Sequence, residues 1–480
     1  MSIKNKAITG FSWTIFEGIF SQGMIFIVGI VLARLLTPED FGIVGIITAI
    51  ISVANSMVEA GFGSALIRKV SSSENDFNTV FYTNLLTSGL LYLFLFMIAP
   101  SISAFFESAV LENLIKVSGI VLIINAIALI QQTLLTKSLN FKKLGLIAVI
   151  SSSISGIISI YLAYAGHGIW SLIVLFILRP LISTILLWVT TKWFPSLKFS
   201  TSSFKELFNY GYKVLLGNLI STAYKNLYYF IIGKYFSPAS LGYYTRADQF
   251  QSPLSVNITA AIRRISFPIL ANYQNDKKVL KNKFVQFIRF SMYINFTIML
   301  ALAAIANPLI NILIGDKWEQ SIIYLQLLCI PGLLYPLQIM HLNLLLVKGY
   351  SNLNLKLEII KKIILIPILL YTVSFGILAM IYGLIFFSIL EYFINSYYTK
   401  KIIDYSPISQ FKDSLPFLSI ALITSLSMFI LTFFINNKLG LIITQLIVGF
   451  IVFIIVNEII KLKEYFMIKQ KLSSLLRKLR

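Results

Sequence analysis

Runs of about 20 mostly apolar residues follow one another along the whole chain, and the charged residues fall almost entirely between them. A backbone inside a bilayer has no water to satisfy its N–H and C=O groups. Each such run therefore has one stable outcome, a helix that crosses. The runs are Phe11–Leu35, Phe41–Ile67, Thr79–Ala99, Leu111–Leu135, Leu144–Ala165, Gly168–Thr190, Leu207–Tyr235, Leu241–Leu270, Phe284–Ile312, Ser321–Val347, Leu355–Phe375, Leu378–Tyr398, Leu415–Phe434 and Gly440–Ile460. The fold class that follows is an all-α polytopic membrane protein of about 14 transmembrane helices. Composition agrees: 57% of the 480 residues are hydrophobic and 12% are charged. No soluble domain of this length is so apolar.

The formal net charge of +21 raises nucleic acid as a partner. The placement of the charges excludes it, because no basic stripe stands apart from the membrane segments. If the N-terminus is cytoplasmic, alternate loops should carry the Lys and Arg. One set holds Lys4, Lys6, Arg68, Lys69, Lys137, Lys142, Lys143, Lys192, Lys198, Lys205, Lys277, Lys278, Lys281, Lys283, Lys348, Lys356, Lys400, Lys401, Lys412 and a basic tail from Lys461 to Arg480. The other holds Arg34, Lys234, Lys317 and Lys438. A split of roughly 26 against four predicts a multi-pass protein of the cytoplasmic membrane with both termini inside. The leading MSIKNK runs into an apolar stretch too long for a signal-peptide core, so the first run reads as a membrane helix. A single cysteine, Cys329, forms no internal disulfide, and no Cys/His group has metal spacing.

An internal repeat organises the spans. Ala33 to Gly42 reads ARLLTPEDFG, and Gly233 to Gly242 reads GKYFSPASLG, 200 positions later without a gap. Ala99-Pro100 and Asn307-Pro308, then Gly168-Ile169 and Gly376-Ile377, extend the match. Two parallel six-helix lobes around a central cavity are predicted, residues 1–195 and 196–405. Helices thirteen and fourteen (406–462) and a basic tail (463–480) lie outside the repeat.

Polar residues inside the spans mark the candidate site, since they are costly in hydrocarbon. In the seventh run Asn218, Ser221, Thr222 and Lys225 fall at i, i+3, i+4 and i+7. In the second, Ser52, Asn55, Ser56 and Glu59 repeat that spacing. The first carries Glu17, Ser21 and Gln22; the eighth carries Arg246, Asp248, Gln249, Ser252, Asn257, Thr259, Arg263 and Arg264. These four helices are expected to line a wet cavity between the lobes. Lys213, Lys225, Arg246, Arg263 and Arg264 would make it cationic and suited to phosphate oxygens. Lys213, Arg263 and Arg264 also lie near enough to the cytoplasmic surface to snorkel to lipid phosphates. No cofactor or metal is expected. Glu17, Glu59 and Asp248 are candidates for coupling to H+ or Na+, and an ion pair of the two glutamates with Lys213 or Lys225 is the structural alternative. Arg179, His341 and Glu391 also sit inside spans, the last two expected as packed, hydrogen-bonded groups.

LARLLTPEDFG (Leu32 to Gly42), GFGSALIRK (Gly61 to Lys69), GHGIWSL (Gly166 to Leu172), IIGKYFSPASLGYYTRA (Ile231 to Ala247), RRISFPIL (Arg263 to Leu270) and IGDKWEQS (Ile314 to Ser321) follow one another along most of the chain. Through them the chain resembles the Wzx-type polysaccharide flippases of the multidrug/oligosaccharidyl-lipid/polysaccharide exporter superfamily. The resemblance implies two lobes, alternating access and no enzymatic chemistry. It also implies a polyprenyl-diphosphate-linked oligosaccharide as cargo, with helices thirteen and fourteen guiding the polyprenyl tail. Membrane lipids and other polysaccharide assembly proteins are the implied partners. An ion-coupled multidrug or metabolite antiporter is the alternative within the superfamily, and a membrane polysaccharide polymerase or ligase the alternative outside it. The basic cavity disfavours a drug-cation exporter, and the short outer loops disfavour a polymerase.

Overall fold

A computed structural model describes residues 20–59, 61–69 and 71–479. The described residues form helices and short connections, with no strand among them. They pack as two compact units, one ending at Gly242 and one starting at Tyr243.

The first unit contains α1 (Phe20–Leu35), α2 (Pro38–Glu59), α3 (Phe62–Arg68), α4 (Glu74–Phe105), α5 (Val110–Ser118), α6 (Val121–Lys137), α7 (Phe141–Tyr164), α8 (Ile169–Thr191), α9 (Thr201–Lys225) and α10 (Leu227–Tyr235). The second contains most of α11 (Pro238–Asn272), then α12 (Lys277–Leu313), α13 (Gln320–Val347), α14 (Ser351–Thr372), α15 (Ile377–Ile403), α16 (Pro407–Ile430), α17 (Lys438–Ile460) and α18 (Lys463–Leu479). The packing divide differs in kind from the repeat boundary at 195/196. By sequence α9 and α10 open the second repeat; by contact they pack on α2 and α3.

Local chemistry sets the helix starts. Ser73 accepts from the Asp76 N–H while the Asp76 carboxylate accepts from the Ser73 N–H, a capping box at the head of α4. Asp276 caps α12, and Ser406 caps α16 just ahead of Pro407. Among the described residues eleven helices are long and apolar enough to cross a membrane. The three remaining spans read from the sequence are helical too. The described part of the first is the shorter apolar helix α1. The others, α9 and α14, are 25 and 22 residues long; α14 carries too many charges to qualify, with Lys356, Glu358, Lys361 and Lys362, and α9 is too polar, with Asn209, Lys213 and Asn218 within its apolar stretch.

The surface is inverted relative to a soluble fold. On α17 the buried residues are Leu441, Gln445, Gly449 and Asn457, one stripe that includes two amides. Ile443, Ile447 and Phe450 are exposed. Gln445 donates to the Met428 carbonyl at 3.0 Å and to Thr432 Oγ1 at 3.2 Å. Hydrocarbon around the helix explains that arrangement, because polar groups there find partners only inside the protein. Cys329 is buried in α13. Residues 463–479, expected as a basic tail, form α18. Its first turn is tied to the bundle by Arg289, which donates to Glu464 at 2.8 Å and to Asp413 on α16 at 3.3 Å.

The two copies of the repeat motif meet within the first unit. A Cβ at Gly42 would overlap the Pro238 carbonyl, and one at Gly242 would overlap the Pro38 carbonyl. The first turns of α2 and α11 thus cross reciprocally, backbone on backbone, and only glycine fits at either position.

Candidate functional site

In the first unit, α2 presents its polar stripe toward α6 and the α9–α10 break. Asn55 Nδ2 donates to Glu59 Oε1 at 3.2 Å, and Asn55 Oδ1 accepts from Asn125 Nδ2 of α6 at 3.0 Å. Ser52 Oγ accepts from Asn226 Nδ2 at 2.9 Å. Asn226 is the residue at which α9 ends and α10 begins, so this bond fixes the break against α2. Ser56 turns back onto the Val53 carbonyl at 2.7 Å and makes no bridge.

Below the stripe α2 gives way to α3. Gly61 has φ of +70°, and a Cβ there would come within 2.5 Å of the Gly211 carbonyl of α9. The left-handed turn and the close approach both require glycine. The far end of α3 is capped from α6. Lys137 Nζ donates to the Leu66 carbonyl at 3.2 Å, the Lys69 carbonyl at 2.6 Å and Ser72 Oγ at 2.6 Å. Lys69, between α3 and α4, bonds Glu206 of α9 at 2.9 Å and Asp76 of α4 at 3.0 Å. The Glu206 and Asp76 carboxylates raise the Lys69 pKa above the ordinary lysine value. Arg68 lies over the Tyr210 ring at 4.6 Å.

The remaining candidates on α9 point outward to varying degrees. Lys213, Asn218 and Lys225 are exposed, whereas Ser221 and Thr222 are half-buried. Among the described residues neither Lys213 nor Lys225 takes part in an ion pair; Lys213 sits 5.8 Å from the Tyr212 ring. Glu59 is exposed, and its partner is Asn55 rather than either lysine. On α1, Ser21 is buried and Gln22 exposed. Glu17 lies outside the described residues. Arg179, half-buried in α8, stands away from this group of contacts.

In the second unit, α11 carries the other candidates. Arg246 is buried at 7% exposure with its guanidinium 5.8 Å from the Trp318 ring. Asp248 and Ser252 are half-buried, and Asn257, Arg263 and Arg264 are exposed. Thr259 is buried and donates to the Ser255 carbonyl at 2.6 Å. Exposed Arg and Lys side chains on membrane-length helices need water, lipid phosphate or an anionic ligand. With Glu59 as the carboxylate nearest the α2 stripe, the first unit offers amide and hydroxyl hydrogen bonds together with ammonium groups.

The sequence reading missed several groups that the fold brings together. Asn125 and Asn226 had no stripe of their own, and only proximity to α2 reveals them. Lys361 of α14 bonds Glu358 and, at 2.8 Å, Glu391 of α15. The spacing of Glu358, Lys361 and Lys362 at i, i+3 and i+4 within an apolar run was the available signal. His341, expected to be packed, bonds Thr399 Oγ1 through Nδ1 at 2.8 Å.

Comparison with known proteins places this architecture. The profile of a family described as polysaccharide biosynthesis protein matches residues 31–323. The chain belongs to that family. Its matched part includes both copies of the repeat motif and the helices that carry the α2, α9 and α11 candidates. The chain is similar to the teichuronic acid biosynthesis protein TuaB of Bacillus subtilis, 27% identical over 306 residues, 62% of each chain. That match spans less than two thirds of the length of TuaB. It is also similar to the lipopolysaccharide biosynthesis protein WzxC of Escherichia coli, 24% identical over 376 residues, 76% of this chain and 75% of WzxC. Among solved structures it shares the fold of the lipid II flippase MurJ in an inward closed conformation. The TM-score is 0.76 at 15% identity, covering 94% of this chain and 98% of the other.

Proposed function

We propose that this member of the polysaccharide biosynthesis family is a flippase. It carries a polyprenyl-diphosphate-linked oligosaccharide from the cytoplasmic to the outer leaflet by alternating access. The observation that carries the reading is the pairing of a bridged polar stripe on α2 with unpaired, exposed ammonium groups on α9. Such groups on membrane-length helices suit an anionic, sugar-bearing cargo. Amide and hydroxyl groups match sugar hydroxyls; within the first unit Lys213 and Lys225 suit diphosphate oxygens, and within the second Arg263 and Arg264 do. The family membership and the names of the relatives support polysaccharide assembly as the setting. The alternation of Lys and Arg among the loops supports a cytoplasmic-membrane location with both ends inside. The polyprenyl tail stays in hydrocarbon beside α16 and α17, and other assembly proteins receive the cargo outside. On this reading the protein forms and breaks no covalent bond.

The test is a strain lacking the protein. Lipid-linked saccharides should accumulate on the cytoplasmic face, and surface polymer should be lost. Unchanged pools and polymer, with altered drug sensitivity, would favour the antiporter reading. Complementation by Lys225→Ala combined with Arg263→Ala should fail although the protein inserts normally; full polymer output would refute the cationic assignment.

A further inference from the structure

The second unit holds an ionisable cluster deep in its helices that the proposed cargo site does not use. Lys361, 2% exposed, sits midway along α14 and bonds both Glu358 and Glu391. Glu391 stands twelve residues before the Ile403 end of α15, roughly 18 Å at 1.5 Å per residue. The membrane span read from the sequence ends at Tyr398, seven residues on, which puts Glu391 roughly 10 Å inside a hydrocarbon core of about 30 Å. Charges at such depth are expensive and face the protein interior.

A polar file leads from Glu391 toward the Ile403 end. Glu391, Asn395 and Thr399 recur at i, i+4 and i+8, one face of α15. Asn395 is 1% exposed, and neither its Nδ2 nor its Oδ1 has a hydrogen-bond partner. Thr399 bonds His341 Nδ1, and His341 Nε2 is likewise buried without a partner. Tyr392 OH reaches Gln410 Oε1 at 3.1 Å beside the His341 ring. The unpaired amide of Asn395 and the unpaired Nε2 of His341, both buried, suit transient water between them. Lys400 and Lys401 in the last turn of α15, and Lys277 at the head of α12 paired with Asp404, lie at the end of the file.

We propose that Glu391 is a proton-binding carboxylate and that the Asn395–Thr399–His341 file is its access route from the Ile403 end of α15. The role in transport rests on the flippase reading above. A hydronium ion gives its proton to a Glu391 oxygen, so one O–H bond forms as one breaks and water is left; Lys361 remains an ammonium and keeps Glu358. The charged groups around the centre are Glu358 and Lys362 on α14, and Lys362 lies 4.0 Å from Glu358. Titratable or charged neighbours on other elements are Tyr335 and His341 on α13, Arg263 on α11 and Tyr392 on α15. On α12 and α16, Arg289 and Asp413 pair with each other. With Lys361, Lys362, Glu358 and Glu391 all ionised, the cluster is neutral, so protonation leaves it one charge positive. Discharging that proton to the opposite side resets the site, which links one proton to one turnover.

The experiment is infrared difference spectroscopy of the full chain in lipid nanodiscs, stepped between mildly acidic and mildly alkaline buffer. The wild type and Glu358→Gln should show a titrating carboxylic-acid C=O band, and Glu391→Gln should lose it. Hydrogen–deuterium exchange of that band should slow in Asn395→Leu. A folded Glu391→Gln that keeps the whole band overturns the site, and unchanged exchange in Asn395→Leu overturns the route. If Glu391→Gln does not fold, Glu391→Gln with Lys361→Gln removes both charges and is read in its place. Surface polymer separates this inference from the function it rests on. Full export by a strain carrying Glu391→Gln overturns the coupling and leaves the flippase reading intact. Lipid-linked pools unaffected by deletion refute the flippase, while the lost band still upholds the proton site.

Discussion

Alanine at Gly42 or Gly242 should destabilise the protein by an amount the crossing itself sets. The atom each new methyl would meet is a backbone carbonyl, of Pro238 or Pro38. A carbonyl cannot rotate away as a side-chain tip can, so the first turns of α2 and α11 must part. Overpacking of this kind costs ~1–3 kcal/mol, and a rigid neighbour argues for the upper half of that range. Each single variant should therefore lose roughly thirtyfold to 150-fold in its folding equilibrium constant. Once the helices have parted for one methyl, the second finds the space already open. Gly42→Ala with Gly242→Ala should cost little more than either alone, a coupling of ~2–3 kcal/mol. Gly89→Ala is the control: nothing lies within 4 Å of its position in α4, so helix propensity should gain ~0.5–1 kcal/mol. The assay is unfolding of purified protein in detergent, followed by tryptophan fluorescence. Neutral single variants, or a double variant additive within ~0.5 kcal/mol, would refute the crossing.

Three further outcomes are expected. Lys137→Met removes the ammonium from the α3 cap and leaves the single Ser72 hydroxyl to serve both the Leu66 and Lys69 carbonyls, costing ~1–3 kcal/mol in the same unfolding assay; no loss would mean that Ser72 and water replace the cap. Glu107 accepts from Lys234 Nζ at 2.9 Å, and this bond, then the charge, holds its carboxyl below the ordinary value of 4.5. A depressed carboxylate contributes stability above its ordinary pKa and loses it as pH falls through the folded one, so Glu107→Gln should flatten the acid limb slightly; parallel curves for wild type and variant would contradict the pair. Glu59→Gln keeps the bond from Asn55 but removes the charge. Polymer export should change its dependence on pH or sodium, and an unaltered dependence would assign Glu59 a structural role.

The helices were legible because hydrophobic runs in lipid have one outcome, and capping residues such as Ser73 and Asp276 sharpened their starts. The breaks were less so. Gly61 announced itself only through a positive φ, and Asn226 through a tertiary bond to Ser52, which no periodicity encodes. The α2 stripe was readable from spacing, and the structure joins its members to one another and to Asn125. On α9 the same spacing identified polar residues but not their environment, because exposure depends on which helices pack there. Arg246 shows the limit most plainly. Its burial against Trp318 comes from residues 72 positions apart. The Lys361 cluster stayed hidden because its partner Glu391 sits on another helix.

The charges on α9 and α14 also bear on how the chain enters the membrane. A lysine at the centre of an inserting helix costs ~2.5–3.5 kcal/mol, so a segment with Lys361 at its midpoint is a poor candidate for release into lipid by itself. Lys361 meets Glu358 within α14, but Glu391 is synthesised thirty residues later. α14 therefore gains its full partner only when α15 has emerged. The two segments should leave the translocon together, as a hairpin, and a chain truncated after α14 should be retained or degraded where one truncated after α15 is stable.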